Sequence, residues 1–546
     1  MSLSSLSPLG KALLFILMFL STSFVVRAEG DVFAQSLNKL AQGGMQEREQ
    51  AMLEMAETKH ARSLLVLQAL LDGKLLSLKS DGKLVIGVEQ AEGYQLKDAL
   101  TDSDLGLVER SNVAKITMTN KLRGTLRKAL GQLELSAENP EIRLAAVKAM
   151  AKDADAKDIE LLKNRLNQEP NVKVKEAIET LLLLDNMRST DRELRLHALQ
   201  ALQALDNVEV VNRLETMLEK DADGNFLESD LEIRQKAELA LKKIGQRKQV
   251  YSAIETLFFG LSLGAVLVLA AIGLAITFGV MGVINMAHGE LMMLGAYTTY
   301  VIQQLMPNHL GWSLLLAIPS AFVIAGLTGI AIERGIIRFL YGRPLETLLA
   351  TFGVSLFLQQ TVRSIFSPLN RSVATPEWMS GSWQYNEFLS ITWNRLYILI
   401  FCLVVFVLLL ELLKRTRLGL EVRAVAQNRT MAKAIGIPTA RVDALTFGLG
   451  SGIAGVAGVA LSQITNVGPN LGQAYIVDSF MVVVFGGVGN LFGTLVAGFS
   501  LGIANKFLEP YAGAVLAKIL VLVFIILFIQ KRPRGLFPQK GRAAEA

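Results

Sequence analysis

Eight long apolar runs in residues 251–546 constrain the fold more strongly than any other feature of this sequence. Only 32 of the 296 residues in this half are charged. About 20 consecutive apolar residues form an α-helix long enough to cross the hydrocarbon core of a bilayer. The second half is therefore predicted to be an all-α polytopic membrane domain with about seven or eight spans. The runs lie near 253–278, 291–306, 313–332, 347–366, 396–413, 443–465, 480–505 and 514–530.

Residues 28–250 have a different composition, with 70 charged residues among 223. About 30% charge is typical of a water-exposed fold. This part carries a net charge of −4 and residues 251–546 carry +8, so the positive charge accompanies the apolar runs. Basic residues beside membrane spans are typical of cytoplasmic loops. The net charge of +6 therefore gives no reason to expect a nucleic-acid partner.

The first 28 residues have the pattern of an export signal. Lys11 precedes a largely apolar stretch of 15 residues at 12–26, and small residues follow where a signal peptidase cleaves. An apolar stretch of 15 residues is too short to span a bilayer comfortably. We predict a signal peptide at 1–28, with a retained membrane anchor as the alternative. Either one exports the domain at 29–250.

Residues 29–250 are predicted to form a mainly helical, HEAT-like domain with a small β-hairpin. An aliphatic residue, a basic residue, two variable positions and an alanine recur in copies that begin at Ile142, Leu194 and Ile233. Each copy opens an i, i+3, i+4 apolar stripe, and spacing of this order is typical of paired-helix repeats. Alternation on both sides of a turn predicts the hairpin at 73–97. Such a domain fits either protein contact or a covering appendage.

The charges in the loops predict the orientation of the membrane domain at 251–538. With 29–250 outside, the cytoplasmic segments would be 279–290, 333–346, 414–442 and the residues after 530. These segments contain 15 Lys and Arg residues, whereas the proposed outer loops contain three. This excess agrees with the positive-inside rule and predicts that residues 29–250 face outward, with a cytoplasmic tail at 539–546.

Two glycine-rich breaks interrupt the apolar runs. FGVMGVIN at 278–285 and FGGVGN at 485–490 share Phe-Gly-x-x-Gly with an asparagine soon after. An outside start and an inside end require an odd number of crossings, so the run at 480–505 is predicted to be broken or re-entrant. Paired breaks indicate a transport pathway built from repeats, although glycines also allow close helix packing. The broken-helix glycines are Gly279, Gly282, Gly486, Gly487 and Gly489.

Polar residues inside or beside the apolar runs are candidates for a substrate path, because such groups are costly in a bilayer. The alternative is that they cap helices or form helix–helix hydrogen bonds. Most of them are neutral donors and acceptors, which suits an uncharged polar solute. The candidates are Asn285, His288, Glu290, Gln359, Gln463 and Asn490.

The sequence contains no motif for catalysis, metal binding or ATP binding. H-E-x-x-H and the phosphate loop G-x-x-x-x-G-K-[ST] are absent. G-x-S-x-G occurs at 260–264 and at 498–502, but both matches lie inside apolar runs and not at the strand-to-helix turn that a hydrolase nucleophile needs. His60 and His197 have no second ligand at metal spacing. The chain is therefore expected not to be an enzyme, with no catalytic or metal-binding residue and no bound cofactor. Any ATP-driven work must come from another polypeptide.

The longest predicted cytoplasmic loop, 414–442, contains seven basic residues. An apolar-periodic stretch from Leu420 to Ile435, ended by Gly436, predicts one short helix in this loop. A helix exposed on the inner face can dock in a groove of a partner. Binding to the membrane surface is the alternative.

Five motifs resemble, in order, those of the permeases of branched-chain amino acid type ABC transporters. They are NMAHGE at 285–290, TFGVS at 351–355, the loop from RLG at 417–419 to GI at 436–437, VFGGVGN at 484–490 and RPRGLF at 532–537. The resemblance covers about 255–538. It implies that the loop docks on an ATP-binding subunit through Arg417, Gly419, Glu421, Arg423, Ala424, Asn428 and Gly436.

The resemblance also implies partners and a solute. A second related permease, two ATP-binding subunits that use ATP, a periplasmic substrate-binding protein and membrane lipid would complete the assembly. The exported extension is similar to that of the bacterial urea transporter permease, so urea is the expected solute. The alternatives are the same type of importer for branched-chain amino acids or short amides, and an ATP-independent urea or amide channel.

Overall fold

The computed structural model describes residues 32–538, apart from 59, 61, 91–92, 152–153 and 222. The predicted signal peptide at 1–28 and the predicted tail at 539–546 lie outside the described residues. The chain divides into two compact units, the first ending at Ile244 and the second beginning at Gly245. Helices dominate both units, and a small antiparallel sheet lies in the first. These features confirm the predicted mainly helical fold class.

The first unit opens with helices that pack around one apolar core. The buried side chains of this core include Leu40, Met52, Leu67, Leu84 and Leu126. Leu84 comes from a strand, so the core joins the helices to one face of the sheet. The helices are α1 (32–42), α2 (Met45–Glu57), α3 (Ser63–Leu71) and, after the strands, α4 (Asn120–Glu134).

The predicted hairpin belongs to a five-stranded antiparallel sheet in the order β4-β3-β2-β1-β5. The hairpin itself is confirmed, with Leu75 opposite Ile86 and Leu76 opposite Val85. The other strands were not predicted, because β3 and β4 are short and only two of their residues, Gly93 and Leu96, are buried. The strands are β1 (Leu75–Leu78), β2 (Leu84–Gln90), β3 (Gly93–Asp98), β4 (Asp104–Val108) and β5 (Val113–Lys115).

Short helices with polar N-caps complete the first unit. Asn139 accepts a hydrogen bond from the backbone of Glu141 at 2.9 Å. Asp230, just before the long helix that begins at Leu231, accepts one from the backbone of Glu232 at 2.8 Å. Such caps pair backbone N–H groups that a helix start leaves unpaired. The helices are α5 (Pro140–Met150), α6 (Ala156–Leu166), α7 (Val172–Asn186), α8 (Arg192–Leu202) and α9 (Val208–Met217).

The arginines of two predicted repeat copies make equivalent ion pairs. Arg143 in α5 pairs with Glu169 at 2.7 Å, and Arg195 in α8 pairs with Glu228 at 2.6 Å. Each glutamate also accepts a hydrogen bond from the backbone two residues further on. This shared arrangement supports an internal repeat, while the HEAT-like assignment stays a prediction.

We expect Glu169→Ala to destabilise the first unit by about 3–5 kcal/mol, because it leaves the buried Arg143 guanidinium without its carboxylate. Burial raises the pKa of this carboxyl, but hydrogen bonds from Arg143, the Asn171 backbone and Arg165 outweigh it and hold the pKa below its ordinary value. The contribution is therefore present above the unfolded-state pKa and is lost as the pH falls through the folded-state pKa.

Hydrogen exchange of α5 and α7 in the full chain measures this effect at neutral and acidic pH. Glu193→Ala is the matched control, since Glu193 is an exposed partner in a surface ion pair. Equal protection in the Glu169 variant and the control would contradict the prediction.

The second unit is built from long apolar helices. Five of the described helices, namely α10, α12, α14, α17 and α19, are long and apolar enough to cross a membrane. The predicted runs at 291–306 and 347–366 coincide with α11 and α13, which carry more polar residues. The helices are α10 (Leu231–Met281), α11 (His288–Leu305), α12 (Leu310–Gly335), α13 (Pro344–Phe366), α14 (Trp393–Arg415), α15 (Arg417–Gln427), α16 (Arg429–Ala434), α17 (Thr439–Ser462), α18 (Leu471–Gly486) and α19 (Leu491–Lys531).

Two helices in this unit depart from the predicted runs. The run at 480–505 is divided between α18 and α19, which agrees with the predicted break. α19 consists of two helical parts joined at Gly513, whose φ of 77° is incompatible with a helix. A short hairpin of β6 (Ser382–Asn386) and β7 (Leu389–Thr392), which was not predicted, precedes α14.

Glycines bring α17 against both α11 and α12. A Cβ on Gly455 of α17 would lie 2.5 Å from the carbonyl oxygen of Ala321 in α12. A Cβ on Gly295 of α11 would lie 2.6 Å from the Cα of Gly455. Small residues allow this backbone approach, which is common between membrane helices. α17 thus packs closely on both α11 and α12, which also contact each other directly.

Candidate functional site

The first glycine-rich segment ends α10 and leads into α11. The backbone leaves the helix at Gly282, where φ is +65°, and α11 begins at His288. We call residues 282–287 the first break. A positive φ of this size favours glycine over residues with a Cβ. The positive φ of Gly282 therefore explains why a glycine occupies this position, one of the five predicted from the sequence.

Glu290 lies in the first turn of α11, and α13 supplies its hydrogen-bond partners. Its Oε1 accepts hydrogen bonds from Nε2 of Gln359 at 2.7 Å and from Oγ of Ser355 at 2.9 Å. The side chain is 1% exposed, and its Oε2 has no partner within the described part of the chain. A buried carboxylate oxygen without a partner is costly. This oxygen can accept a hydrogen bond from a water molecule or a solute.

Three polar residues of α13 form a stripe toward the first break. Thr351, Ser355 and Gln359 are spaced at i, i+4 and i+8, which places them on one helix face. The Thr351 hydroxyl oxygen accepts a hydrogen bond from the Met286 backbone N–H at 3.1 Å. The stripe therefore holds both the first break and the start of α11.

Asn285 and His288 are also fully buried at this position. Oδ1 of Asn285 accepts a hydrogen bond from the Ala287 backbone at 3.0 Å, while its Nδ2 has no partner among the described residues. Nε2 of His288 lies 2.8 Å from the carbonyl oxygen of Ala270 in α10. Because a carbonyl only accepts, Nε2 carries the hydrogen. The structure thus brings Asn285, His288, Glu290 and Gln359 together at the first break.

The second break, residues 487–490, separates α18 from α19. Gly487 and Gly489 have φ values of +103° and +79°. Asn490 caps α19, because its Oδ1 accepts a hydrogen bond from the Gly493 backbone at 3.0 Å. Its Nδ2 donates to the carbonyl oxygen of Phe537 at 3.1 Å. Asn490 therefore has partners for both ends of its amide.

The RPRGLF segment at 532–537 packs on the second break. The backbone N–H of Leu536 donates to Phe485 at 2.9 Å, and that of Phe537 donates to Gly486 at 3.2 Å. A Cβ on Gly487 would lie 2.7 Å from the Phe537 carbonyl oxygen, so only glycine fits there. Two of the five sequence motifs are thus one structural feature.

The second break lies against the last turn of α10, directly before the first break. Gly279, in the last turn of α10, is so close to Gly489 that a Cβ would lie 2.5 Å from the Gly489 Cα. The paired glycine segments predicted from the sequence therefore come into direct contact. Gly486 packs in the same way on Gly493 of α19.

Gln463 lies apart from both breaks, at the end of α17. It lines an apolar cavity of about 270 Å³ between α12, α14 and α17. Its Nε2 donates to Ser462 at 3.2 Å, and its Oε1 is buried without a partner among the described residues. The remaining walls of the cavity are apolar and aromatic, including Trp378 and Tyr397. The structure does not bring Gln463 together with the other path candidates.

The loop between α14 and α17 contains two helices, α15 and α16, and the single helix predicted from Leu420 to Ile435 is wrong. Asn428 interrupts it, with φ at −151°. Its Oδ1 accepts a hydrogen bond from the Met431 backbone at 2.9 Å and so caps α16. Asparagine competes well for this role because its side chain replaces a backbone acceptor. Thr416 caps α15 in the same way.

The α15–α16 loop, residues 416–436, has its own apolar core. Val422, Val425 and Ala432 are buried with Val442 of α17. Val280, two residues before the first break, packs against the same core. The core that the loop forms with α17 therefore contacts the end of α10.

The outer face of the α15–α16 loop is apolar as well. Leu420 and Met431 are 61% exposed and Ile435 is 70% exposed. Met431 and Ile435 are four residues apart, which places them on one helix face, and exposed apolar side chains on one face can form a binding surface. We call these three side chains the exposed patch.

The other predicted loop residues shape the two helices. Arg417 pairs with Glu421 at 3.0 Å, and Arg423 donates to the Leu413 carbonyl. Gly419 allows close contact with Leu413, and Gly436 ends α16 with a φ of +90°. Ala424 packs at the edge of the loop core.

Ser355 and the Arg429–Asp443 pair are site residues that sequence reasoning missed. The polar spacing at 351, 355 and 359 was visible in the sequence and could have identified Ser355. Nothing in the sequence indicated that Arg429 and Asp443 meet, because they lie in different helices 14 positions apart. Within the described residues, no group of three His, Cys, Asp or Glu side chains could hold a metal ion.

Comparison with known proteins places the second unit among transport proteins. Residues 256–529 match the family model described as "Branched-chain amino acid transport system / permease component". The chain is 33% identical over 293 residues to the high-affinity branched-chain amino acid transport system permease protein LivH of Escherichia coli (strain K12), covering 52% of this chain and 94% of that protein.

Two further relatives cover the same region. The chain is 31% identical over 298 residues to the high-affinity branched-chain amino acid transport system permease protein BraD of Pseudomonas aeruginosa, covering 53% of this chain and 96% of that protein. It is 24% identical over 317 residues to the probable branched-chain amino acid transport permease protein LivH of Methanocaldococcus jannaschii, covering 55% and 94%. All three relatives leave close to half of this chain without a counterpart.

Proposed function

This chain belongs to the family of branched-chain amino acid transport system permease components, and from that premise we propose that it is the membrane permease subunit of an ATP-driven importer of a small solute. The apolar helices of the second unit agree with a multi-pass protein of the inner membrane. The relatives are permease subunits rather than enzymes. The ATP is therefore hydrolysed by other subunits.

One observation carries the proposal. The α15–α16 loop presents the exposed patch on one side and contacts Val280, at the end of α10, on the other. A partner that moves the loop therefore acts on the first break and on the buried polar residues beside it. This arrangement supports coupling between an ATP-binding subunit and the solute path.

The proposed assembly contains this chain, a second related permease, two ATP-binding subunits and a periplasmic substrate-binding protein. The first unit lies on the periplasmic side and the α15–α16 loop on the cytoplasmic side. The excess of basic residues in the proposed cytoplasmic segments supports this orientation. ATP closes the two ATP-binding subunits, and their reopening returns the path to its starting state, so ATP must favour one of two conformations.

Branched-chain amino acids are the first candidate solutes, because the relatives carry that substrate in their names. Short amides, with urea among them, are the second candidate. The polar groups at the first break favour this class, because Asn285 Nδ2 offers a donor and Glu290 Oε2 an acceptor. Urea has one carbonyl and two amino groups, so it can use both. The first unit, which the relatives lack, leaves room for a different solute.

Uptake by the complete complex in proteoliposomes tests the proposal. With ATP supplied on the side of the α15–α16 loop, we expect uptake of labelled leucine or labelled urea that stops when ATP is withheld. Leucine uptake that excess urea does not reduce would favour branched-chain amino acids. Urea uptake that excess leucine does not reduce would favour short amides. Uptake of either solute without ATP would refute the importer and indicate a channel.

A further inference from the structure

An ion pair fastens the α15–α16 loop to α17. Nη1 of Arg429, the first residue of α16, donates to Oδ1 of Asp443 at 3.0 Å, and Nη2 donates to Oδ2. Asp443 is 0% exposed. A guanidinium that binds both oxygens of a carboxylate fixes distance and orientation together. The pair therefore sets how α16 lies on α17.

The same guanidinium also contacts the segment that follows α12. Its central carbon lies 4.4 Å from the centre of the Tyr341 ring. The Tyr341 hydroxyl donates a hydrogen bond to Oε1 of Glu333 at 3.2 Å, and Glu333 is a buried residue of α12. Arg429 thus connects α16 to α17 directly and to α12 through one tyrosine.

The connection continues into the helix that carries the path residues. α17 is packed against α12 and α11 at Gly455, and α11 begins at the first break. A displacement of α16 that is passed to α17 therefore reaches Glu290 through packed backbones.

The apolar core of the loop does not replace the ion pair. Apolar contacts are non-directional, so Val422 and Val425 can slide while they stay buried. The planar guanidinium of arginine fixes how the carboxylate lies against it. Lysine cannot reproduce this geometry, because its ammonium is a single point charge on a flexible chain.

We propose that Arg429 is a positioning residue, which through Asp443 and Tyr341 makes α16 and α17 move as one body when ATP is bound and hydrolysed. This inference rests on the proposed function. It adds the residue that transmits the movement from the docking loop to the transmembrane helices.

The first test compares Arg429→Lys with the parent chain in the complete complex. Solute uptake and phosphate release are measured in the same proteoliposomes, with labelled leucine and labelled urea as probes. We expect the amount of solute moved per ATP to fall by about fivefold or more. A factor of about five is the lower end of the range typical for coupling between two sites. Arg441→Lys is the matched control, since Arg441 is an exposed arginine two residues from Asp443.

A second variant separates positioning from folding. In Arg429→Met with Asp443→Leu, apolar side chains replace the buried pair, and such replacements are often neutral for stability. We expect this variant to have the same melting temperature as the parent complex and to keep its ATP-binding subunits. We still expect the amount of solute moved per ATP to fall. A wild-type ratio in either variant would overturn the inference. So would loss of the ATP-binding subunits, or a parallel fall of uptake and hydrolysis, because both indicate a purely structural pair.

A readout that needs no solute completes the test. Spin labels at the exposed positions Lys433 of α16 and Leu445 of α17, in a chain with Cys402→Ala, report the distance between these helices. We expect one distance in nucleotide-free and ATP-trapped parent complexes and a changed or broadened distance in Arg429→Lys. A distance that changes in the parent, or stays the same in the variant, would overturn the inference. Failure of the proposed function is recognised separately, because the parent complex would then transport without ATP or bind no ATP-binding subunit.

Discussion

Gly279→Ala is expected to reduce ATP-driven uptake by about a hundredfold, the loss that follows when path residues are displaced by about 1 Å. The added methyl group would lie 2.5 Å from the Cα of Gly489, and backbone cannot yield as a flexible side chain can. The last turn of α10 and the second break must therefore move apart. Uptake of labelled leucine and urea by the complete complex measures the effect.

Gly353→Ala is the control for this prediction. Gly353 also belongs to one of the sequence motifs and lies in α13, but a Cβ there would meet nothing within 4 Å. We expect its uptake to match the parent. Equal uptake by both variants, at equal amounts of folded complex, would show that close contact between Gly279 and Gly489 is not needed for transport.

Replacing Leu420 and Met431 by glutamate is expected to release the ATP-binding subunits. Both side chains belong to the exposed patch, and truncating an interface hot spot costs about 2 kcal/mol or more. Two such losses weaken binding by roughly several hundredfold or more, since each tenfold change corresponds to about 1.4 kcal/mol. Co-purification of the ATP-binding subunits with the tagged permease measures the loss.

Gln427→Glu serves as the control, because Gln427 is exposed on α15 and lies outside the exposed patch. It adds one negative charge to the loop without changing an apolar contact. ATP-binding subunits that stay bound to the doubly substituted permease would contradict docking at this patch. Retention in the control and loss in the double variant would support it.

The membrane helices could be predicted from the sequence because apolar length alone defines them. The runs near 253–278, 313–332, 396–413 and 443–465 each fall in one helix of the structure. The division between α18 and α19 was predictable as well, since Gly487 and Gly489 interrupt an otherwise apolar run. The sheet of the first unit was only partly predictable, because the short strands β3 and β4 bury few side chains and pair through backbone groups that leave little trace in the sequence.

The candidate site was predictable residue by residue but not in its arrangement. Asn285, His288 and Glu290 stood out as polar groups in an apolar setting, and α13 indeed supplies the partner Gln359. Gln463 stood out for the same reason, yet it lies at a separate cavity. Polarity within a span indicates that a group needs a partner, whereas the identity of that partner depends on tertiary packing. The Arg429–Asp443 pair shows the same limit for the loop.

The hydrogen bonds that close the second break set an order for biosynthesis. Asn490 donates to Phe537, which the ribosome adds 47 residues later. While α19 is being synthesised, the carbonyl groups of Phe485 and Gly486 cannot yet receive their partners at 536 and 537. α18 must therefore be inserted before these hydrogen bonds form. A chain stalled before Leu536 would keep the second break without them.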